Sequence, residues 1–274
     1  MGWGYVHDFC GRCAACLDGH EQYCRARRVY GFHDLDQGSA AAAAVWPEHA
    51  LAAVPDALPG VAAAPLMCAG ATVFAVYDQF AVRPTDRVGV VGLGGLGHLA
   101  VLFGARRGND VVVFSTSADK RDAALAMGAR DFRATPRGAA RVEPPLAAPL
   151  DHLIVTTSAP VDWALFLPLL APRAAIYPLT VAAGDLAIPY GALLGDGLRV
   201  LGSLVAPAAC VRRMLAFAAA HRIHPVTEEF AMDEAGIDEA MRKLTAGEVR
   251  YRAVLVAPPT AEADGEDGAR VDVR

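Results

Sequence analysis

The chain has 274 residues, of which 54% are hydrophobic and 20% are charged, and its formal net charge is −5. This length suits one large domain or two modest ones with a sizeable core. The negative charge gives no electrostatic basis for binding nucleic acid or an anionic membrane surface. Prolines and an arginine interrupt the longest apolar stretch, 164–183, and the N-terminus lacks the pattern of a signal peptide, so we expect a cytoplasmic protein without a membrane span.

In chain order, a cysteine-rich, loop-like segment over residues 1–30 is followed by an alanine-rich segment over 39–54. Hydrophobic patterning then predicts helices over 66–80, 98–107, 120–127, 163–170, 208–221 and 233–246. The predicted strands are 88–91, 110–114, 153–155, 175–177, 200–203 and 251–256. This alternation predicts an α/β fold with a doubly wound parallel sheet. The polar tail over 258–274 is predicted to be disordered.

A glycine-rich motif, Gly92-Leu93-Gly94-Gly95-Leu96-Gly97, follows the first predicted strand and opens a predicted helix. In this context the G-x-G-x-x-G pattern indicates a dinucleotide site. Its first glycine permits a tight turn, its second lets a pyrophosphate approach the backbone, and its third lets the helix pack on the strand. The alternative is an ordinary glycine-rich turn.

The residues after the second predicted strand favour NADP over NAD. An NAD site usually carries an acidic residue there for the ribose 2′-hydroxyl. This chain has Ser115-Thr116-Ser117, followed by Lys120 and Arg121. Hydroxyls and cations suit a 2′-phosphate, which a carboxylate would repel. Alternatively, the two cations form a solvated helix start.

Four of the six cysteines, Cys10, Cys13, Cys16 and Cys24, have the spacing C-x2-C-x2-C-x7-C. Four thiolates satisfy a tetrahedral Zn²⁺ with no open position, which predicts a structural zinc site. Two disulfides are the alternative, and a reducing compartment disfavours them. Within the same loop, Gly19-His20-Glu21 is interpreted as solvated, and His7 as a surface residue rather than a ligand.

Three motifs together resemble one family, the zinc-dependent medium-chain alcohol dehydrogenases, in the cinnamyl-alcohol-dehydrogenase-like branch. They are the cysteine motif, the run from Pro65 to Val73 around Cys68, and the glycine motif extended to His98. The ending Val249-Arg250-Tyr251-Arg252 is similar to that branch as well. The resemblance covers residues 1–257 and implies a Rossmann sheet joined to an incomplete GroES-like β-barrel catalytic domain.

The resemblance also implies roles for individual residues. Members interconvert primary alcohols and aldehydes with NADP(H), zinc acting as a Lewis acid on the substrate oxygen. The four-cysteine knot would hold the structural zinc, and Cys68 would be a ligand of the catalytic zinc. The implied cofactor contacts are Thr72, Gly92, Leu93, Gly94, Gly95, Leu96, Gly97, Ser115, Thr116, Ser117, Lys120, Thr156, Ser203, Leu204 and Val205. A small alcohol or aldehyde would be the substrate, and the active form would be a homodimer.

Several features depart from the family pattern. The other catalytic zinc ligands of the family, a cysteine and the histidine of a G-H-E motif, precede the knot, and this chain begins just before the knot. We therefore expect an N-terminally truncated gene product with impaired alcohol dehydrogenase activity. Pro178 and Val155 stand where relatives usually have glycine and aspartate near the nicotinamide half of the cofactor.

The expected domains are a GroES-like remnant with the zinc lobe over 1–60, an NADP-binding Rossmann domain over 61–206, and a return to the catalytic domain over 207–257, before the tail. Two alternatives to a dehydrogenase stay open. One is a non-catalytic NADP-binding remnant or interaction protein that holds only the structural zinc. The other is a zinc-free quinone reductase of the same superfamily, which the four-cysteine knot disfavours.

Overall fold

A six-stranded parallel sheet forms the centre of the molecule in a computed structural model that describes residues 1–41, 43–182 and 184–258. The strand order is β10-β9-β8-β5-β6-β7. Its strands are β5 (Arg87–Val91), β6 (Asp110–Ser115), β7 (Asp131–Ala134), β8 (Leu150–Val155), β9 (Leu170–Pro178) and β10 (Arg199–Val200). The predicted doubly wound α/β fold is confirmed. Apart from Pro258, the tail predicted to be disordered lies outside the described residues.

The direction of strand addition reverses next to β5. The chain adds β6 and β7 on one side of β5 and then crosses to add β8, β9 and β10 on the other. Val91 at the end of β5 pairs with Phe114 of β6 and with Val155 of β8. Ligands of such sheets bind at the carboxyl ends of the strands where the order reverses, so the fold creates a crevice directly beyond Val91.

Helices cover both faces of this sheet. They are α2 (Gly60–Pro65), α3 (Ala71–Gln79), α4 (Gly97–Arg107), α5 (Arg121–Ala126), α6 (Trp163–Phe166), α7 (Tyr190–Gly195) and α8 (Ala208–Ala220). On one face, Tyr77, Phe103 and Met214 belong to a core between α3, α4 and α8. On the other face, Phe114 and Ile176 belong to a second core.

The remaining elements form three two-stranded sheets outside the Rossmann sheet. The antiparallel pairs join β1 (Gly2–Trp3) to β4 (Leu51–Ala52) and β2 (Val6–Asp8) to β3 (Arg28–Val29), and the parallel pair joins β11 (Thr227–Ala231) to β12 (Arg252–Val256). Helix α1 (Ala14–Leu17) lies in the cysteine-rich lobe, and α9 (Glu234–Ala246) packs on β11. Asp233 caps α9 by accepting from the backbone N–H of Gly236.

Some predicted boundaries were wrong. The helix predicted over 66–80 begins at Gly60, and a π-helical turn, Leu66–Gly70, joins α2 to α3. Pro65 offers no N–H for the regular ladder, and the wider turn follows it directly. The helix predicted over 163–170 becomes a 3₁₀ turn after Phe166, where Pro168 follows. Strands β7 and β11 were not predicted.

One helical stretch, Gly60–Gln79, is long and apolar enough to cross a membrane. However, 78% of its most apolar window is buried inside the fold. Burial of this kind is what the core helix of a soluble protein shows, so the stretch gives only weak evidence for a membrane span.

Candidate functional site

The glycine-rich loop turns from β5 into α4 at the crevice. Gly92 has a φ of +94°, a backbone conformation that residues other than glycine rarely adopt. A Cβ on Gly97 would lie 1.9 Å from the carbonyl oxygen of Gly92, so only glycine permits this helix–strand contact. A Cβ on Gly94 would meet no atom within 4 Å. The loop therefore has a tight turn, a tight packing point and an open backbone between them, which is the arrangement that a pyrophosphate requires.

A cavity of about 1190 Å³ extends along the loop and past the ends of the strands. All the candidate cofactor residues line it except Gly97, which packs on Gly92, and Ser117. Those that line it are Thr72, Gly92, Leu93, Gly94, Gly95, Leu96, Ser115, Thr116, Lys120, Thr156, Ser203, Leu204 and Val205. Its volume exceeds that of a typical pocket for a drug-sized ligand, so a dinucleotide fits.

Hydrogen bonds fix the hydroxyls nearest the glycine loop. The Thr156 side chain donates to the carbonyl oxygens of Val91 and Gly92, at 3.0 and 2.9 Å. The Thr72 hydroxyl donates to the carbonyl oxygen of Cys68 at 2.8 Å. These two threonines therefore stabilise the backbone around the site as well as facing the cavity.

Beyond β6, the polar groups near one end of the cavity make different contacts. The Ser117 hydroxyl donates to Asp119, and Ser117 is not among the residues that line the cavity. The Nζ of Lys120 donates to the carbonyl oxygen of Leu93 at 3.1 Å, which ties the lysine to the glycine loop. Arg137, for which the sequence held no cofactor-binding signal, also lines this cavity. The loop of Arg137 follows β7, and the backbone N–H of Thr135 donates to Ser115.

At the opposite end, the cavity is lined by Pro178 and by the segment 203–205. Val205 has a φ of +40°, in the left-handed region, where a β-branched residue is a genuine outlier. Such strain persists only when the surrounding structure enforces it.

The four cysteines of the predicted knot come together. The Sγ atom of Cys16 lies 3.5 Å from that of Cys13 and 3.9 Å from that of Cys10, and Cys10 lies 3.6 Å from Cys24. Zn–S bonds of about 2.3 Å in a tetrahedron place sulfurs about 3.8 Å apart. These residues therefore fit a four-thiolate zinc ion, and all six cysteines are free thiols rather than disulfides.

The environment of the knot differs between its sulfurs. The backbone amide of Arg12, then that of Cys13, and the Cys24 side chain lower the pKa of Cys10 to about 6. Desolvation, with hydrogen bonds from Cys13 and Cys24, raises the pKa of Cys16 to about 12. Amides directed at Cys10 favour its thiolate, which is the form that binds a metal.

Cys68 lies on the π-helical turn and faces the same cavity as the glycine loop. Desolvation raises the pKa of its thiol, and the charge of Arg252 opposes that shift. Over residues 1–41, 43–182 and 184–258, the four-cysteine knot is the only cluster of three or more potential metal ligands. Among these residues, Cys68 therefore has no partners that could supply the two further ligands a catalytic zinc takes from protein.

Two residues of the zinc lobe, Glu21 and His7, differ from their interpretation, whereas Gly19 and His20 are exposed as expected. Glu21 is buried, not solvated, and its Oε1 accepts a hydrogen bond of 2.6 Å from the backbone N–H of Ala208. His7 is buried, not on the surface; its Nε2 bonds Asp34 at 2.7 Å, and its ring lies 4.7 Å from that of Trp46. Nothing in the sequence around Glu21 indicates that its carboxylate accepts a hydrogen bond from a backbone amide far along the chain.

His98, which follows the glycine motif, is fully buried at the start of α4. Its Nδ1 donates to the carbonyl oxygen of Gly94 at 3.0 Å, and its ring stacks on Tyr251 at 4.9 Å. Burial lowers its pKa from 6.5 to about 4. At neutral pH His98 is therefore uncharged and braces the glycine loop against the segment before β12.

Comparison with known proteins identifies the family. No protein-family model matches the chain. NADP-dependent alcohol dehydrogenase C 1 of Mycolicibacterium smegmatis is 34% identical over 262 residues, which cover 93% of this chain and 74% of that protein. A probable cinnamyl alcohol dehydrogenase 8D of Oryza sativa subsp. japonica is 36% identical over 271 residues, covering 96% and 74%.

Among solved structures, a cinnamyl alcohol dehydrogenase from Sorghum bicolor matches with a TM-score of 0.80 at 34% identity, over 92% of this chain and 73% of that chain. The chain belongs to the zinc-dependent medium-chain alcohol dehydrogenases, in their cinnamyl-alcohol-dehydrogenase-like branch. It spans about three quarters of the length of these relatives. The predicted family, Rossmann fold and NADP and zinc cofactors are confirmed.

Proposed function

We propose that this chain is an NADP-dependent oxidoreductase of the reaction class that interconverts primary alcohols and aldehydes. One observation carries the proposal: the cavity beyond β5 is lined both by the glycine loop and by Cys68. The names of the relatives give the reaction class and the cofactor. When bound, NADP(H) supplies the hydride, and the protein supplies binding and orientation.

The glycine loop would bind the pyrophosphate of the cofactor. The open backbone at Gly94 and the N-terminus of α4 offer amide donors and a favourable dipole to phosphate. Thr156 and Thr72 would border the path towards the nicotinamide, which would lie against Ser203, Leu204 and Val205. These assignments to individual residues are proposals that their position along one cavity supports.

We assign the 2′-phosphate of NADP to the loops after β6 and β7. Ser115 and Thr116 supply hydroxyls there, and Lys120 and Arg137 supply positive charge at the same end of the cavity. Within the described residues, Arg137 has no carboxylate within ion-pair distance, so its charge is available to a phosphate. A guanidinium binds a phosphate with two parallel hydrogen bonds, which favours Arg137 for this role.

Cys10, Cys13, Cys16 and Cys24 would hold a structural zinc ion, since their sulfur spacing fits a closed tetrahedron. The described residues do not fit a catalytic zinc, because Cys68 has no co-ligands among them. We therefore assign no step to a metal at Cys68 and expect weak alcohol dehydrogenase activity from this chain.

The lack of co-ligands for Cys68 among the described residues favours a second candidate, a non-catalytic NADP-binding protein that holds only the structural zinc. Metal content, cofactor binding and turnover separate the two when measured on the purified 274-residue chain. NADPH binding with weak but steady reduction of an aromatic aldehyde supports the dehydrogenase, and a second zinc ion per chain would show that the chain also holds a catalytic ion. NADPH binding with one zinc ion and no turnover supports the second candidate. Absence of NADPH binding contradicts both.

Several wider proposals accompany this function. We propose the division into 1–60, 61–206 and 207–257, supported by the Rossmann sheet lying within the middle segment. A small-molecule alcohol or aldehyde substrate fits the family. A cytoplasmic location, the homodimer, and the absence of nucleic-acid and membrane partners stay proposals, which gel filtration and fractionation of cells would test.

A further inference from the structure

We propose that Glu21 and Tyr23 of the zinc lobe are positioning residues for the nicotinamide end of the cofactor site. Through them, the four-cysteine knot would set the affinity of the chain for the whole cofactor but not for its adenosine half. This inference rests on the proposed NADP-binding function, and it assigns a role in cofactor binding to residues that do not line the cofactor cavity.

Glu21 connects the lobe to the start of α8. The carboxylate is buried, and its Oε1 accepts from the N–H of Ala208, the first residue of this 13-residue helix. That N–H has no partner inside the helix, because the first turn of any helix leaves its amides unpaired. A carboxylate at this end also interacts favourably with the helix dipole. Glu21 therefore fixes where the chain enters α8.

Tyr23 contacts the same connection at Leu204, four residues before the first residue of α8. Its hydroxyl accepts from the backbone N–H of Leu204 at 3.3 Å. Leu204 is itself one of the residues that line the cofactor cavity. The two side chains of the lobe thus contact the chain at 204 and at 208, on both sides of Val205.

Val205, between these two contacts, carries the backbone strain noted above, with a φ of +40°. A β-branched residue is strained in the left-handed region, so the segment would relax if nothing held it. The hydrogen bonds that Tyr23 and Glu21 accept from Leu204 and Ala208 flank it on either side. Relaxation of Val205 would change the wall of the cavity at the nicotinamide end.

The zinc ligands in turn fix Glu21 and Tyr23. Both residues belong to one 3₁₀ turn, Glu21–Tyr23, which lies between Cys16 and Cys24. The backbone N–H of Cys24 donates to the carbonyl oxygen of Glu21 at 2.9 Å. A metal ion that binds both cysteines would therefore hold this turn in place, and its removal would release the turn.

The experiment compares two ligands, NADPH and adenosine 2′,5′-bisphosphate, by fluorescence or calorimetric titration of the full chain. The second ligand carries the adenosine and 2′-phosphate but no nicotinamide. For Glu21→Ala we expect the NADPH dissociation constant to rise about tenfold, which corresponds to about 1.4 kcal/mol. We expect the value for adenosine 2′,5′-bisphosphate to stay within about twofold. Glu21→Gln, which keeps an oxygen acceptor, should recover most of the NADPH affinity.

The matched control is Asp18→Ala, which removes an exposed carboxylate from the same lobe and should leave both constants unchanged. Tyr23→Phe, which removes only the hydroxyl, should weaken NADPH binding about threefold and covers the case in which Glu21→Ala does not fold. Extraction of zinc from the wild-type chain by a chelator should also weaken NADPH binding selectively.

The outcomes separate the inference from the function on which it rests. If the wild-type chain binds neither ligand, the proposed function fails. If it binds both, and Glu21→Ala and zinc extraction leave the NADPH constant within twofold, the positioning role is wrong. Equal weakening of both ligands would also contradict it, because a merely destabilised chain loses both.

Discussion

The four-cysteine knot and the surroundings of Cys68 are two parts of one chain in which cysteine thiols meet different numbers of partners. In the knot, four sulfurs lie at the separations that a tetrahedral zinc needs. Around Cys68, the described residues offer a cavity, a π-helical turn and a glycine loop, but no further group of metal ligands. The knot is complete within 15 residues of sequence, whereas a site at Cys68 must gather its ligands from distant positions.

The difference shows what a local motif can establish. A closed zinc site that one short loop supplies survives wherever that loop is present, and it can be recognised from spacing alone. A site built from distant residues cannot be inferred from any one of them. Family membership therefore gives the reaction class of this chain, while the donor set decides which parts of the chemistry the described residues can perform.

The largest difference between the two cysteine environments should appear when one cysteine in each is replaced by serine. Cys24→Ser removes a buried ligand of the knot, and the zinc content should fall well below the wild-type value of about one per chain, because three thiolates hold the ion less tightly than four. The melting temperature should fall by about 10 °C, since zinc binding stabilises the folded lobe. Metal analysis and thermal unfolding measure both.

Cys68→Ser is the matched control for that exchange. It removes an exposed thiol with no partners in the described part of the chain, so zinc content and melting temperature should stay at wild-type values. Loss of one zinc ion from Cys68→Ser would contradict the proposal that the described residues hold only the structural ion.

A second variant tests whether the stability of the Rossmann sheet and its helices is independent of zinc binding by the knot. Gly97→Ala places a Cβ 1.9 Å from the carbonyl oxygen of Gly92, and the backbone cannot yield cheaply. We expect about 4 kcal/mol of lost stability, within the range of severe backbone strain, and loss of NADPH binding with zinc retained. Denaturant unfolding and titration measure these effects. Gly191→Ala, where a Cβ meets no atom within 4 Å, is the control.

The stability of the Rossmann sheet and its helices should also depend on pH through His98 in α4. Its folded pKa is lower than 6.5, so acid protonates the unfolded chain first. The stabilisation is complete above about pH 6.5 and is lost as the pH falls towards about 4. With about 1.4 kcal/mol per pKa unit, the loss is about 3 kcal/mol.

Denaturant unfolding of wild-type and His98→Gln chains between pH 4 and pH 7 checks this dependence. The variant should lack the His98 contribution to the slope. Parallel curves for the two chains would show that His98 does not carry the effect. The same slope should persist in Cys24→Ser, because His98 packs on Tyr251 and not on the knot.

The sequence allowed the Rossmann sheet, the glycine loop and the knot to be predicted because each follows from a short, periodic or closely spaced pattern. It did not allow β7 to be predicted, since Asp131–Ala134 has only one fully buried residue, Phe132, and no clear alternation. Missing β7 also meant missing Arg137, whose loop reaches the cavity only because Ala134 pairs with Ser115. The role of Glu21 was not predicted for a related reason: its hydrogen-bond partner, Ala208, is 187 residues away in the chain.

The smallest expected effect concerns Arg137, at the end of the cavity that we assign to the adenosine half of the cofactor. Arg137→Ala should raise the dissociation constant for NADPH about fivefold and leave that for NADH within twofold, because only NADPH carries the 2′-phosphate. Arg141→Ala, which removes an exposed arginine already paired with Glu143, should change neither. Zinc content should stay at the wild-type value in both variants. Equal weakening of NADPH and NADH would assign Arg137 to the adenine instead, since both cofactors share that ring.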